Sequence, residues 1–183
     1  MDAHALVPLK ALDSAKSRLA DVLSAEERAG LMRSLLDHVV GTIREAGVEQ
    51  VTVVTREPID GFDVWEDRGL AWNDALAAAM DETVSAPLAA VISADLPLLR
   101  AEEVEGLLAA TPERGIAIAR ALDGGTNAVA MRPPGLVRTR FGEPGSSAVH
   151  AALGVSHVVV DLPGLAFDVD TPEDLARMQT ACL

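Results

Sequence analysis

Ala89-Ala-Val-Ile-Ser-Ala-Asp-Leu-Pro-Leu-Leu99 begins as an uncharged apolar run and ends on one acid, with a proline two residues later. A run of this kind reads as a strand buried on both faces, the habit of a parallel sheet. Pro97 has no N–H for a ladder and restricts Leu96 before it, so the strand ends about where Asp95 appears. In open α/β sheets, ligands bind outside the carboxyl ends of the strands. Asp95 therefore stands where such a sheet would hold a metal ion. An acid after a strand is also a common turn former or helix cap, so the metal reading needs a partner. Phe167-Asp-Val-Asp-Thr-Pro-Glu-Asp-Leu175 offers one.

Composition narrows the setting. A chain of 183 residues with 49% apolar content is globular and fits one domain, residues 1–183, with a substantial core. Cys182 is the sole cysteine, which excludes a disulfide framework or a cysteine metal cluster and suits a reducing cytoplasm. No apolar run approaches a membrane span, and the N-terminus leads directly into a strand, so a soluble cytoplasmic protein is expected, with no membrane partner. The formal charge of −13 argues against a nucleic-acid partner, which would need a basic face to displace counterions. The charge is uneven, however. Residues 5–20 carry Lys10, Lys16 and Arg18 against Asp13 alone, and residues 115–150 carry Arg120, Arg132, Arg138 and Arg140 against Asp123 and Glu143. Two basic islands in an acidic chain suit small polyanionic ligands. A homodimer is the default expectation for any oligomer.

The order of elements reads as α/β. His4–Pro8 is a first strand, and the long polar connection Leu9–Leu19 exceeds the usual strand-to-helix loop, a mark of function. Lys10, Lys16, Ser17 and Arg18 in it can converge on phosphates, although the Gly-rich P-loop signature is missing. Ser24-Ala-Glu-Glu27 is a capping box, after which Leu31, Leu35, Val39 and Ile43 recur at helical spacing up to Gly47. His38, beside that stripe, reads as a packing or surface residue. Val51–Thr55 and Val64–Trp65 are strands. Asn73 caps an alanine-rich helix to about Val84, with contact to a nucleoside as its functional reading; Trp72 stacks on a base or, preferably, fills core. Ala101–Ala110 is a helix whose Glu102, Glu103 and Glu105 are expected at the surface.

Gly115–Arg120 and Ala128–Arg132 are strands joined by Ala121-Leu-Asp-Gly-Gly-Thr-Asn127, a link short enough for an antiparallel excursion. Its glycines suit either close approach to a phosphate or carboxylate, or a bare turn. Ser147–Leu153 is a short helix whose N-terminus favours anions; Ser146 is its cap or a phosphate ligand. His157–Asp161 and Phe167–Val169 complete the strands. Thr171 then caps a helix with Pro172 in its first turn, running to about Ala181.

This layout resembles the nucleotidyltransferases of the GT-A-like (Rossmann-like) fold. It is most similar to the 2-phospho-L-lactate and phosphoenolpyruvate guanylyltransferase family of coenzyme F420 biosynthesis. The resemblance spans nearly the whole chain. It rests on Val7-Pro-Leu-Lys10 with Ala15-Lys-Ser-Arg-Leu19, Ser93-Ala-Asp-Leu-Pro-Leu98, Asp123-Gly-Gly-Thr-Asn127, Phe141-Gly-Glu-Pro-Gly-Ser146 with His150, and Asp168-Val-Asp-Thr-Pro-Glu-Asp174. It implies a mostly parallel sheet with helices on both faces. Asp95 with Asp168 or Asp170, the latter preferred, would hold Mg²⁺. Lys10, Lys16, Arg18 and Asn73 would bind GTP, with Asp95 and Lys16 catalytic. Thr126, Gly142 and Ser146 would bind a phosphorylated three-carbon acid. Glu143 is inserted relative to the family's Phe-Gly-Pro-Gly-Ser, which leaves Gly142 and Gly145 as alternatives for one glycine. Arg132, Arg138 and Arg140 would attract the acceptor. The alternatives are a nucleotidyltransferase with a molybdopterin-type or 3-phosphoglycerate acceptor, and a GT-A glycosyltransferase, which would release a nucleoside diphosphate in place of pyrophosphate.

Overall fold

The stretch at Ala89 forms a strand in the middle of a seven-stranded sheet. In chain order the strands are β1 (His4–Pro8), β2 (Gln50–Thr55), β3 (Asp63–Glu66), β4 (Ala89–Ile92), β5 (Gly115–Arg120), β6 (Thr126–Arg132) and β7 (Ser156–Val160), arranged β3-β2-β1-β4-β6-β5-β7. All neighbours are parallel except β6, which runs antiparallel to both β4 and β5. The expected excursion is thus one reversed strand inserted beside the central one. A computed structural model describes residues 2–10 and 16–181. Residues 11–15 of the long first connection, and Cys182, lie outside the described residues.

Side-chain size decides what packs on each face. Ala90 and Ile92 of β4, Ala117 and Ala119 of β5, and Ala128 and Ala130 of β6 face one way. Small residues leave room there for the Leu- and Val-rich sides of α1 (Ala25–Glu45) and α3 (Ala101–Ala110). The opposite face presents Val91, Ile116, Ile118, Val129 and Met131, and against it lies the alanine-rich α2 (Trp72–Thr83) with Ala75 and Ala79 inward. Large residues on the sheet meet small ones on the helix and the reverse, which lets the layers interdigitate on both faces. Among the described residues no helix is long and apolar enough to cross a membrane.

Most expected elements are present, including both halves of the Ser24–Glu27 capping box and an exposed His38. Others differ for identifiable reasons. Phe167–Val169 is extended but joins no sheet, because both neighbours of β4 are already taken by β1 and β6; only Val169 N–H bonds the Asp95 carbonyl, at 3.2 Å. The short helix α4 (Ser146–Ala151) takes Gly145, in the left-handed region at φ 63, as its N-cap in place of Ser146. Ala71, not Asn73, caps α2. Trp65 is the tryptophan in the core, whereas Trp72 is half-buried.

Glu103 is buried, not a surface acid. It accepts the Arg100 N–H at 3.1 Å and the Gly164 N–H at 2.7 Å, pinning α5 (Pro163–Ala166) to the start of α3. A Cβ on Gly164 would overlap the Glu103 carboxylate and the Leu98 carbonyl. Gly164→Ala should therefore lower stability by about 2 kcal/mol through overpacking. A thermal melt unchanged from the parent would show that α5 can move aside.

Candidate active site

Phe167 and Val169 turn into a small core with Leu19, packed by Leu23, Leu31, Leu98, Leu175 and Met178. Period-two alternation then sends Asp168 and Asp170 outward, even without sheet pairing. Leu19 closes a 3-10 turn over Ser17–Leu19, so the same core that aims the two acids also fixes the residues just before it. Lys16 enters that turn at φ 54, a left-handed backbone that costs a non-glycine residue about 1 kcal/mol. Its ammonium reaches both acidic segments, 2.5 Å from Asp95 Oδ2 and 2.7 Å from Asp170 Oδ1. The Lys16 side chain is 6% exposed. Burial alone would pull its pKa down, but the Asp95 and Asp170 charges outweigh burial and hold it above the ordinary lysine value.

One carboxylate oxygen from each of Asp95, Asp168 and Asp170 lies within 4.8 Å of the others. Burial, followed by repulsion from Asp95 and Asp170, pushes the Asp168 carboxyl up to about 6 against the hydrogen bond it accepts from Asn127 Nδ2 at 3.1 Å. An oxygen-only donor set that is crowded with like charge and already draws an ammonium between its members fits a hard divalent cation. Both Asp168 and Asp170 belong to the cluster, with Asp170 nearer the lysine and Asp168 braced by Asn127.

Asp95, Asp170 and Lys16 line a cavity of about 410 Å³, which also touches Lys10, Arg18, Trp72, Thr126 and Gly142; Asp168 stands just behind that wall. The cavity is ample for a nucleotide or a smaller anion. Arg18 is 73% exposed, with Nη1 3.6 Å from Asp170 Oδ2. Lys10 Nζ lies 5.7 Å from the centroid of the Trp72 ring. Trp72 therefore packs on the core and lines the cavity at once. Gly142, at φ 80, is the glycine that lines the cavity, while Gly145 caps α4.

Behind Gly142 the chain is braced from two sides. Asn73 Oδ1 accepts from Phe141 N–H at 2.9 Å and from Thr139 Oγ1 at 3.0 Å, and its Nδ2 donates to the Phe141 carbonyl at 3.0 Å. His150 Nε2 accepts from Arg140 N–H at 2.9 Å, its Nδ1 lies 3.1 Å from Thr126 Oγ1, and Ser146 Oγ donates to that same Thr126 oxygen at 3.0 Å. Asn73 thus acts as a strut for this loop and is not among the cavity's lining residues.

The reach of Thr126 depends on a bulge. Pairing shifts from Ala119↔Ala128 to Arg120↔Thr126, so Asn127 is an extra residue on β6. The bulge reverses the alternation. Thr126 turns toward α4 although Ala128 packs with α1, and Asn127 turns toward Asp168 although Val129 packs with α2. The roles of Asn127, Asn73 and His150 were not apparent in the sequence, because their partners are distant in the chain and no spacing announces them.

The second basic island does not face the cavity. Arg132 sits at the far end of the reversed β6, beside Glu113 at 3.9 Å; Arg138 pairs with Asp74 at 3.0 Å and Arg140 with Glu143 at 2.7 Å. Strand direction places Thr126 at the site and Arg132 at the opposite edge.

An acid at the carboxyl end of β4, two more beside it, a lysine among them and a nucleotide-sized cavity above fit the class of nucleotidyltransferases. Known proteins narrow it. The family profile described as "Guanylyl transferase CofC like" matches residues 3–180, and the chain belongs to that family. A phosphoenolpyruvate guanylyltransferase of Sphaerobacter thermophilus is 39% identical, covering 97% of this chain and 93% of its own. A 2-phospho-L-lactate guanylyltransferase of Haloarcula marismortui is 38% identical, covering 89% and 79%. In fold, the chain is similar to a solved Desulfovibrio desulfuricans protein described as a nucleotide-diphospho-sugar transferase. The TM-score is 0.78 at 18% identity, over 95% of this chain and 84% of that one.

A proton on Asp168 competes with a metal ion for the same oxygens. With its pKa raised to about 6, this group's contribution to stability is present below the ordinary carboxylate value and is lost as pH rises through about 6. Metal affinity changes in the opposite sense. Mn²⁺ affinity should fall about tenfold between pH 7 and pH 5, read by titration of the ion against the protein; a flat profile would place the ion away from Asp168. Lys16→Met removes the competing ammonium and should tighten Mn²⁺ binding severalfold in the absence of nucleotide, whereas weaker binding would make Lys16 an organiser of the cluster.

Proposed function

We propose that the protein transfers GMP from GTP to the phosphate of a three-carbon phospho-acid, phosphoenolpyruvate or 2-phospho-L-lactate, in coenzyme F420 biosynthesis. A phosphate oxygen of the acceptor attacks the α-phosphorus, the bond to the β-phosphate breaks, and pyrophosphate leaves with its electron pair. The observation that carries this reading is that one cavity is lined both by the Asp95–Asp170–Lys16 constellation and by Thr126 with Gly142. On this reading a metal-triphosphate site and a second anion site share one space.

The chemistry asks little of acid–base groups, since the attacking phosphate is already ionised near neutral pH. His150, whose two nitrogens are both engaged within the fold, is not needed as a base. The reaction needs charge neutralisation and in-line placement. Asp95, Asp168 and Asp170 would hold Mg²⁺, which supplies neutralisation of triphosphate charge when bound. Lys16, charged and fixed by its turn, sits where it can pass from carboxylates to phosphate oxygens. Arg18 and Lys10 extend positive charge along the cavity, and Trp72 offers the nucleoside a flat face. Thr126 and Gly142 form the acceptor end, and Ser146, buried outside the cavity lining, acts there through its hydrogen bond to Thr126.

The test is pyrophosphate release with GTP and Mg²⁺, offering phosphoenolpyruvate, 2-phospho-L-lactate and 3-phosphoglycerate separately and weighing each product. Turnover is expected with one of the first two, and Asp95→Asn should reduce it by at least about 100-fold. Silence with all three acceptors would overturn the acceptor assignment, and nucleoside diphosphate released from a nucleotide-sugar would replace it with glycosyl transfer.

A further inference from the structure

His150 is wholly buried, lies outside the cavity lining, and takes no part in the chemistry above. Its hydrogen bonds nevertheless fix a proton at the cavity wall. The Arg140 backbone N–H can only donate, and it points at Nε2 from 2.9 Å, so Nε2 must keep its lone pair. Burial holds the imidazole below the ordinary histidine value, with Glu143 and Arg140 acting on it in opposite senses and the Ser146 carbonyl favouring a protonated ring nitrogen. A neutral ring with a bare Nε2 carries its hydrogen on Nδ1. That Nδ1–H faces Thr126 Oγ1 at 3.1 Å and donates to it.

Thr126 Oγ1 also accepts from Ser146 Oγ. A hydroxyl oxygen has two lone pairs, and here both are filled from behind. The hydroxyl's own hydrogen is left for the remaining side, and Thr126 lines the cavity.

We propose that His150 is a positioning residue that makes Thr126 an obligate hydrogen-bond donor to an anionic oxygen of the acceptor, and that fixes Arg140 and hence the Gly142 loop against the same ligand. The inference rests on the reading that the phospho-acid sits at this end of the cavity. It adds a specific polarity to that end: Thr126 selects carboxylate or phosphate oxygen and rejects a donor. The opposite tautomer would set two N–H groups against each other at Nε2 and leave the Arg140 amide unpaired, at a real cost for a group turned away from water.

Two measurements test this. The first uses no substrate. Long-range ¹H–¹⁵N spectra of the labelled full chain resolve the tautomers of its 4 histidines, with His150→Phe identifying the signal. A neutral Nδ1–H ring at pH 7 is expected, and an Nε2–H tautomer or an imidazolium overturns the proposal, whether or not the acceptor assignment holds. The second is kinetic. His150→Phe keeps an aromatic ring against Phe141, with which His150 makes an edge contact at 5.6 Å, but removes both nitrogens.

The KM for the phospho-acid should rise about tenfold or more while the KM for GTP stays within about twofold. His150→Asn, which can return an N–H near the Nδ1 position, should recover part of the loss. An unchanged acceptor KM in folded His150→Phe, or equal losses for both substrates with no recovery in His150→Asn, overturns the positioning role. Failure of the parent protein to turn over any phospho-acid would instead count against the acceptor assignment alone, since the tautomer is read independently.

Discussion

Everything at the site depends on holding three carboxylates closer together than their charges favour. Like charges at such separations repel strongly where water is partly excluded. Two things offset that repulsion in the protein itself: the Lys16 ammonium between Asp95 and Asp170 and, below about pH 6, protonation of Asp168, whose pKa burial pushes up to about 6. The mechanical support is the small core of Leu19, Phe167 and Val169. Because Leu19 belongs to the lysine's turn and Phe167 and Val169 to the acids' segment, one apolar cluster aligns both partners of the ion pair. The left-handed backbone at Lys16 is the strain left over from that alignment, the sort that persists where surrounding structure over-determines a position.

The reversed strand explains how Thr126 and Asn127 come to lie beside the acids. In a wholly parallel sheet, every strand presents its carboxyl end to the ligand. Here β6 presents its amino end, because it runs against β4 with Ile92 opposite Ala128. Thr126 and Asn127 therefore fall next to Ser93 and Asp95 and not across the sheet. Ser93 N–H bonds the Asn127 carbonyl at 2.8 Å, extending the pairing just past the end of β4.

Much of this was legible in the sequence, and the rest was hidden for physical reasons. Asp95 was readable because burial demands an apolar strand and Pro97 stops it. Lys16 was readable because a long polar connection after a strand is rarely idle. Phe167–Val169 was misread as a strand since period-two alternation looks the same whether a segment pairs with a sheet or only seats two apolar residues in a pocket. Glu103 looked like a dipole-favouring surface acid, a role that fits any glutamate in a first turn; its burial depends on where α5 lands. The arginines of the second island could be counted, but their orientation follows from the direction of β6 and from nearby surface acids.

The bulge at Asn127 was the least legible feature and links the two ends of the site. Adjacent residues on a strand face opposite ways, so Thr126 and Asn127 necessarily serve different sides. A regular ladder would send Thr126 toward α1 and Asn127 toward α2, away from His150 and Asp168 respectively. One extra residue exchanges them. Thr126 then reaches the cavity wall and Asn127 braces Asp168. Neither can shift register without disturbing the other. The flanking Gly124 and Gly125 supply the backbone freedom for this, and Gly125 N–H bonds Asp123 Oδ1 at 2.7 Å to set the turn. The Gly-Gly-Thr-Asn sequence is thus a geometric device first: it couples the placement of a hydroxyl at the cavity wall to the placement of the Asp168 carboxylate, so that the two are held at a fixed separation.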